Sequence, residues 1–556
     1  MPTSRLVLLA SLALLARGAS PLPAQTPPSP TDSFSERVDV NVVDVDVYVV
    51  DKAGNPVLDL KKDDFQLFED GKAVPVVNFY AISGKPARET PPAAAPHSAE
   101  APQPAPESPV PSTESQQLHL VVYVDNWSLT PFHRNRVLRQ LRSFLAEKLG
   151  PEDQVMLVTY DRALHIRHPF ASAAKSLETD LAAIEKMSGN GVRLASERRQ
   201  IFQLLQEEPQ VPCEAKERQV TAYVESRYNE TAVRLNALRA LISSLAGLPG
   251  RKALLYVSDA LALQPGDEAI QLLQEVCAIK ADRTRDLSGA LRRLTSDANA
   301  RRVTFYTLEA AGSPPLPSSS VERAGAAMAS SLEFFERSNH QDGLFNLASE
   351  TGGRAILQAN DVRASLARVA EDLKSYYSLG YTPGHQGDGR VHSIQVKVNR
   401  PGVTVRHRQT YRDQPPGERQ EDRLMAALLH GTGENPLGAT LEMGVPAPGA
   451  KKTFLVPVKV KIPLEQLVFL PEAGFSTAHV AILVVARDDE GRTTPVRRVM
   501  VPIRLPQTKL DGARGQLYVY ELKIELAKGG HTVAVGIEDT AAASTSMLNG
   551  RVEVKG

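Results

Sequence analysis

The sequence predicts an α/β protein: a doubly wound, mostly parallel sheet between a small N-terminal β unit and a C-terminal β-sandwich. Three observations predict it. Through the middle of the chain, apolar runs of strand length alternate with stretches of helical spacing, the pattern of βαβ units. A valine-rich alternating stretch precedes that region. After it come β-type runs parted by turns, with no helical period between them.

The elements follow in order. Arg5 and the apolar run Leu6 to Ala16 predict a secretory signal peptide over 1–24, cleaved after Ala19 or Ala24. Export to the periplasm, the medium or the cell envelope is the expectation. Val38 to Val50 reads as a strand, and Phe65 to Phe79, broken by Glu69-Asp70-Gly71-Lys72, as a hairpin. Together they make a small, Ig-like β unit over 36–84. Residues 85–116 are rich in Pro and Ala and predict a disordered linker. The α/β domain is expected over 117–385. Leu118 to Val124 is a continuous apolar run ending in Asp125, as in a buried parallel strand. Val137, Leu138, Leu141, Phe144 and Leu145 recur at helical spacing behind it. Gln154 to Tyr160, Ala253 to Val257 and Val303 to Leu308 are further strands, with Leu164 to Phe170 at an edge and Tyr376 to Tyr381 closing the domain. Val391 to Arg408 predicts a β-hairpin extension over 386–412, and 418–556 a short helix and the C-terminal sandwich.

Composition excludes several roles. Lys+Arg and Asp+Glu are both 64, a formal net charge of +0, so no global field draws the chain to nucleic acid or an anionic membrane. After the N-terminal run no stretch is apolar enough for a transmembrane span. Cys213 and Cys277 are the two cysteines, and in an exported chain such a pair is expected to bridge. They have no histidines at zinc-ligand spacing. His165 and His168 lie on opposite faces of an edge strand and are expected in solvent. The chain lacks G-x-S-x-G, H-E-x-x-H, a phosphate loop and a dinucleotide-binding glycine pattern, so no catalytic residues emerge and no enzyme is expected.

An apolar strand ending in Asp, a helix, and a later strand ending in Ser258-Asp259 resemble a von Willebrand factor A (VWA) domain. Further motifs resemble the acidobacterial VWFA-related family: Asp63-Asp64-Phe65, Phe68-Glu69-Asp70-Gly71, Leu347-Ala348, Thr351-Gly352-Gly353, Tyr376-Tyr377-Ser378-Leu379-Gly380-Tyr381, Val391-His392-Ser393-Ile394 and the closing Arg408 and Tyr411. The resemblance covers roughly Val38 to Tyr411. It implies a VWA-like fold with a divalent cation, such as Mg²⁺, at the carboxyl edge of the sheet. The family's ligands there are D-x-S-x-S, a threonine on a middle loop, and a later Asp. Asp125 and Asp259 match the two acidic positions. Trp127 and Leu129 stand where the serines belong, with Ser128 and Thr130 displaced by one residue, and the loop Ser188 to Gly191 has no threonine.

Each lost oxygen weakens a hard-cation site, so divalent-cation binding is expected to be weak or absent. Two readings stay open. Asp125 and Asp259 hold a cation weakly, with Ser128, Thr130 or Asn126 filling in, or the two carboxylates cap helices and bond their loops. Trp127, with Asn126, is either an anchor for a protein partner or packing. The functional expectation is an exported protein that binds an unidentified protein ligand, or acts in adhesion, through the top face of the α/β domain. The alternatives are a metal-independent structural component of the cell envelope and, with no motif behind it, a hydrolase.

Overall fold

The computed structural model describes residues 42–83, 117–150, 153–172, 175–279, 285–313, 326–431, 433–450, 453–472, 474–513 and 515–555. The expected signal peptide and linker lie outside the described residues. The first strand is Val43–Val50 (β1), and Phe65–Glu69 (β2) and Lys72–Val74 (β3) form a hairpin. Its two turn residues, Asp70 at φ 48° and Gly71 at φ 76°, supply the left-handed backbone that a tight hairpin requires. Asn78–Ile82 (β4) leaves that hairpin for another sheet.

The α/β region runs Leu118–Val124 (β5), Pro131–Lys148 (α1), Gln154–Tyr160 (β6), Leu164–Ser172 (β7), Lys175–Glu185 (α2), Gly191–Gln206 (α3), Cys213–Leu245 (α4), Arg251–Ser258 (β8), Asp267–Cys277 (α5), Ser288–Ala300 (α6), Val303–Glu309 (β9), Ala326–Glu350 (α7), Ala355–Ile356 (β10) and Arg363–Lys374 (α8). The sheet order is β10-β9-β8-β5-β6-β7, parallel except for the edge strand β7. β5 is central because it is apolar on both faces. Leu120, Val122 and Val124 pack with Leu138 and Leu141 of α1 and Val369 of α8, while Val121 and Tyr123 pack with Leu238 and Ile242 of α4 and Leu294 of α6. The chain winds one way from β5 to β6 and returns to β8 on its other side. Val124 pairs with Val257, so the carboxyl ends of β5 and β8 meet at the topological switch point.

Two sequence expectations are corrected in the next segment. Tyr376–Tyr381 (β11) does not close the α/β sheet; it pairs with β1 and β4. Only one of its faces is fully apolar: Tyr377, Leu379 and Tyr381 enter a core with Val45, Val47, Phe65 and Leu67, and Ser378 and Gly380 face away. Such a strand suits a two-sheet unit and not a sheet covered by helices on both sides. Val391–Val398 (β12) and Thr404–His407 (β13) are not a hairpin. β12 pairs with β2 and with Thr410–Arg412 (β14), whereas β13 pairs with β1. Arg400-Pro401-Gly402, with Gly402 at φ 78°, turns the chain from one sheet to the other. The N-terminal β strands are therefore completed by strands some three hundred residues later, in sheets β13-β1-β11-β4 and β14-β12-β2-β3.

The C-terminal region has Pro416–His430 (α9) and two antiparallel sheets. Thr440–Met443 (β15), Ala447–Pro448 (β16), Phe454–Pro463 (β17) and Leu517–Leu526 (β21) form one; Leu470–Glu472 (β18), Phe475–Asp488 (β19), Arg497–Pro506 (β20), Gly529–Asp539 (β22) and Ser544–Val554 (β23) form the other. Val456, Val458, Val460, Val480, Ile482 and Val535 fill the space between them. Leu424 and Leu428 of α9 cover the outer face of the second sheet, and His430 Nε2 bonds Ser244 O of α4 at 2.8 Å. Among the described residues no helix is long and apolar enough to cross a membrane.

Lys252, at the start of β8, is 6% exposed and donates to Leu248 O at 2.8 Å. Burial, aided by the charge of Arg302, lowers its ammonium to about 7. The folded value lies below the unfolded one, so folding releases a proton between pH 7 and about 10 and stability rises with pH across that window. Lys252→Met is expected to stabilise the protein at pH 7 and below, by on the order of a few kcal/mol. It should also flatten the pH dependence above neutrality, as chemical denaturation at pH 6, 8 and 10 would show. A variant no more stable at pH 6 would refute the assignment.

Candidate functional site

Asp125 leaves the end of β5 fully buried. Its Oδ2 accepts hydrogen bonds from Arg234 Nη1, Tyr256 OH and Ser258 Oγ, each at 2.9 Å. Arg234 is 7% exposed and comes from α4, where it also donates to Ala260 O at 3.2 Å and, through Nη2, to Thr231 Oγ1 at 3.2 Å. Desolvation opposes the guanidinium's charge, but the Asp125 carboxylate together with Tyr256 and Tyr123 holds its pKa above the ordinary arginine value. Tyr256 is likewise pushed upward, by burial and by the Asp125 charge.

The remaining sequence candidates gather here. Ser128 Oγ meets Ser258 Oγ at 2.8 Å and accepts from the Asp259 amide at 3.3 Å. Asp259 Oδ2 accepts from Thr130 N at 3.1 Å and faces His133 Nδ1 at 2.9 Å; Thr130 Oγ1 caps α1 through His133 N at 3.3 Å. Asp125, Ser128, Thr130 and Asp259 therefore form one network. The Asp125 end does not fit a divalent cation: a full positive charge lies 2.9 Å from its carboxylate, and three donors already occupy Oδ2. Gly191 shapes the loop beneath. A Cβ there would lie 2.6 Å from Ser128 O and Thr130 N, so only glycine lets α3 start against this turn.

Asn126 and Trp127 are placed differently from a partner-facing pair. Asn126 is 1% exposed; it donates to Ser188 O at 2.7 Å and accepts from the buried Arg134 at 2.5 Å. Trp127 is 5% exposed, with Arg162 and Arg193 stacked on its ring at 4.5 and 4.8 Å. Both hold the loop in shape. His165 and His168 pair separately, with Asp161 and Asp180, each at 2.8 Å.

Above the network opens a cavity of about 320 Å³. Thr130, His133, Asp259, Arg234, Glu268 and Glu336 lie around it. Its charges are mostly matched: Arg234 by Asp125, Arg227 by Glu197 and Glu230, Arg198 by Glu336. Among the described residues Glu268, 4% exposed, has no ion-pair partner, and its Oε2 has no hydrogen-bond partner. Burial, reinforced by the nearby Glu336, raises its carboxyl to about 7. Asp259 Oδ1 is likewise buried and unbonded. Close in sequence to the lining residues His133, Gly191 and Glu336 stand large, exposed apolar side chains: Phe132 at 72%, Val192 at 60%, Phe334 at 66% and Phe335 at 53%. Cys213 and Cys277, joined in a disulfide, tie the start of α4 to the end of α5, two walls of this cavity.

Sequence reasoning missed Arg234 and Glu268. A signal for the first exists: Arg234 lies at helical spacing with Leu238, Leu241 and Leu245, a charge on the buried face of a helix. Such a charge has to be paired.

No protein-family profile matches the chain, and no curated protein matches it. Solved structures similar to it include three from bacteria. A von Willebrand factor type A protein from Catenulispora acidiphila is 9% identical, over 79% of this chain and 66% of that one, with a TM-score of 0.24. An aerotolerance-related membrane protein from Bacteroides fragilis is 10% identical, over 46% and 98%, with a TM-score of 0.24. BatB from Bacteroides thetaiotaomicron is 10% identical, over 46% and 96%, with a TM-score of 0.23.

Proposed function

We propose that this chain is an exported binding protein that takes a protein partner at the carboxyl end of its parallel sheet, without a metal ion. One observation carries the reading: the helix segments that line the cavity at the switch point also carry the exposed side chains of Phe132, Val192, Phe334 and Phe335. Exposed apolar side chains on the segments that form a concave site are what protein interfaces use. The buried Arg234 stands beside Asp125 where a cation-dependent site would place its ion. The Cys213–Cys277 bridge suits an oxidising compartment outside the cytosol.

Two measurements test this. Capture from envelope extracts is expected to proceed equally with and without Mg²⁺, and to fall at least tenfold in Phe132→Asp and in Phe335→Asp. Partner binding that needs Mg²⁺, or that survives both substitutions, overturns the reading. In calorimetry, Mg²⁺ is expected to give no saturable heat attributable to the top face. Micromolar binding abolished by Asp125→Ala would show that the carboxylate serves an ion after all.

A hydrolase is the second reading, and the His133–Asp259 pair, at 2.9 Å beside the cavity, favours it. Ser128 Oγ, the hydroxyl such chemistry would need, is engaged with Ser258 and the Asp259 amide. Ester or peptide turnover lost in His133→Ala would establish it.

A further inference from the structure

At the far end of the β2–β3 hairpin lies a second polar cluster, separate from the cavity. Glu69 ends β2 with its side chain 10% exposed, and its Oε1 accepts from Tyr381 OH at 2.8 Å and Tyr411 OH at 2.7 Å. Against it lie His385, on the loop after β11, and His392, on β12. Their rings stack with centroids 3.9 Å apart.

The two imidazoles are held alike. His385 Nδ1 meets Asp413 Oδ2 at 2.9 Å, and Asp413 is buried. His392 Nδ1 meets Asp70 Oδ2 at 2.8 Å. A carboxylate on Nδ1 fixes the tautomer with its proton there and leaves the lone pair on Nε2, the arrangement behind most metal-bound histidines. Each Nε2 then faces a further carboxylate. His385 Nε2 is 3.2 Å from Glu69 Oε1, and His392 Nε2 is 3.3 Å from Asp388. Ligand atoms from Glu69, His385 and His392 all lie within 4.8 Å of one another.

We propose that His385, His392 and Glu69, with Asp388 as a fourth donor, form a binding site for one zinc-type divalent cation. Tetrahedral bonds of roughly 2.0–2.1 Å put neighbouring ligand atoms roughly 3.3 Å apart, close to the His385–Glu69 and His392–Asp388 spacings. Two imidazoles with carboxylates suit zinc better than magnesium or calcium, which prefer all-oxygen sets. Asp413 and Asp70 orient the rings, and the hydroxyls of Tyr381 and Tyr411 orient Glu69. The rings, now 13° from parallel, must splay for both lone pairs to reach one ion. The ion would tie the loop carrying His385 and Asp388 to β2 and β12.

The test uses the full-length chain stripped of metal and titrated with Zn²⁺ by calorimetry. One equivalent is expected to bind with micromolar or tighter affinity. His385→Ala and His392→Ala should each weaken it at least 100-fold, and Asp413→Asn 10- to 100-fold. X-ray absorption on the unaltered zinc-loaded chain guards against variants that fail to fold, and should show two imidazoles in the ion's coordination shell. No saturable zinc binding, binding unchanged in both histidine variants, or a shell without imidazole would each overturn the proposal and leave an ion-pair network.

Discussion

Arg234→Leu is expected to destabilise the α/β region by about 3–5 kcal/mol, because it leaves the Asp125 carboxylate buried without its cation. Tyr256 and Ser258 still donate to Oδ2, but neutral donors do not offset a charge at this depth. Arg234→Leu combined with Asp125→Leu should recover most of the loss, since two apolar side chains of similar size remove the pair together. Trp127 makes the measurement local. It is the single tryptophan, it packs in the core beside Tyr123 and Leu238, and its fluorescence follows this region alone. Urea titration of the two variants decides the matter. A single variant that melts with the unaltered protein would mean that Arg234 is not what neutralises Asp125.

Removing the Cys213–Cys277 bridge is expected to have a comparable effect. The bridge closes a loop with a sequence separation of 64. In the chain-entropy account a loop of that length contributes about 4 kcal/mol. Cys213→Ser with Cys277→Ser should therefore shift the same Trp127 transition to markedly lower urea. Labelling of the oxidised, denatured chain with a thiol reagent should find no reactive cysteine. Two labelled thiols would refute the bridge. The loss should reach function as well, because the bridge joins α4, which carries Arg227 and Arg234, to α5, which carries Glu268.

The sequence was most readable where burial acts on both faces of an element. β5, β8 and β9 are uninterrupted apolar runs, and nothing but a covered parallel sheet accommodates them. Among the C-terminal strands, β17 and β20 show the converse, since one-sided burial leaves an alternation. What escaped was pairing over long distances. Tyr376 to Tyr381 carries a strand signal, yet nothing local says that its neighbours are β1 and β4. At the top face, the spacing of Asp125 and Asp259 located the network but not its counter-charge, which arrives from a helix more than a hundred residues away. The His385–His392 cluster was hidden in the same way. Its members come from β2, the loop after β11, β12 and the segment after β14, and only the folded sheets bring them together.

The chain leaves the β unit through β4 and returns through β11, and these strands lie side by side, Ile82 against Tyr376. The whole α/β region is thus a loop whose two feet are clamped by one antiparallel ladder. A pull applied between the first strand and the C-terminal sandwich would travel through β1, β13, β14 and α9 and largely bypass the helices between β5 and β11. While that ladder holds, the parallel sheet would be loaded only through its side contacts, such as that of His430 with Ser244 O. Tension along that path would leave the cavity at the end of the parallel sheet largely undeformed.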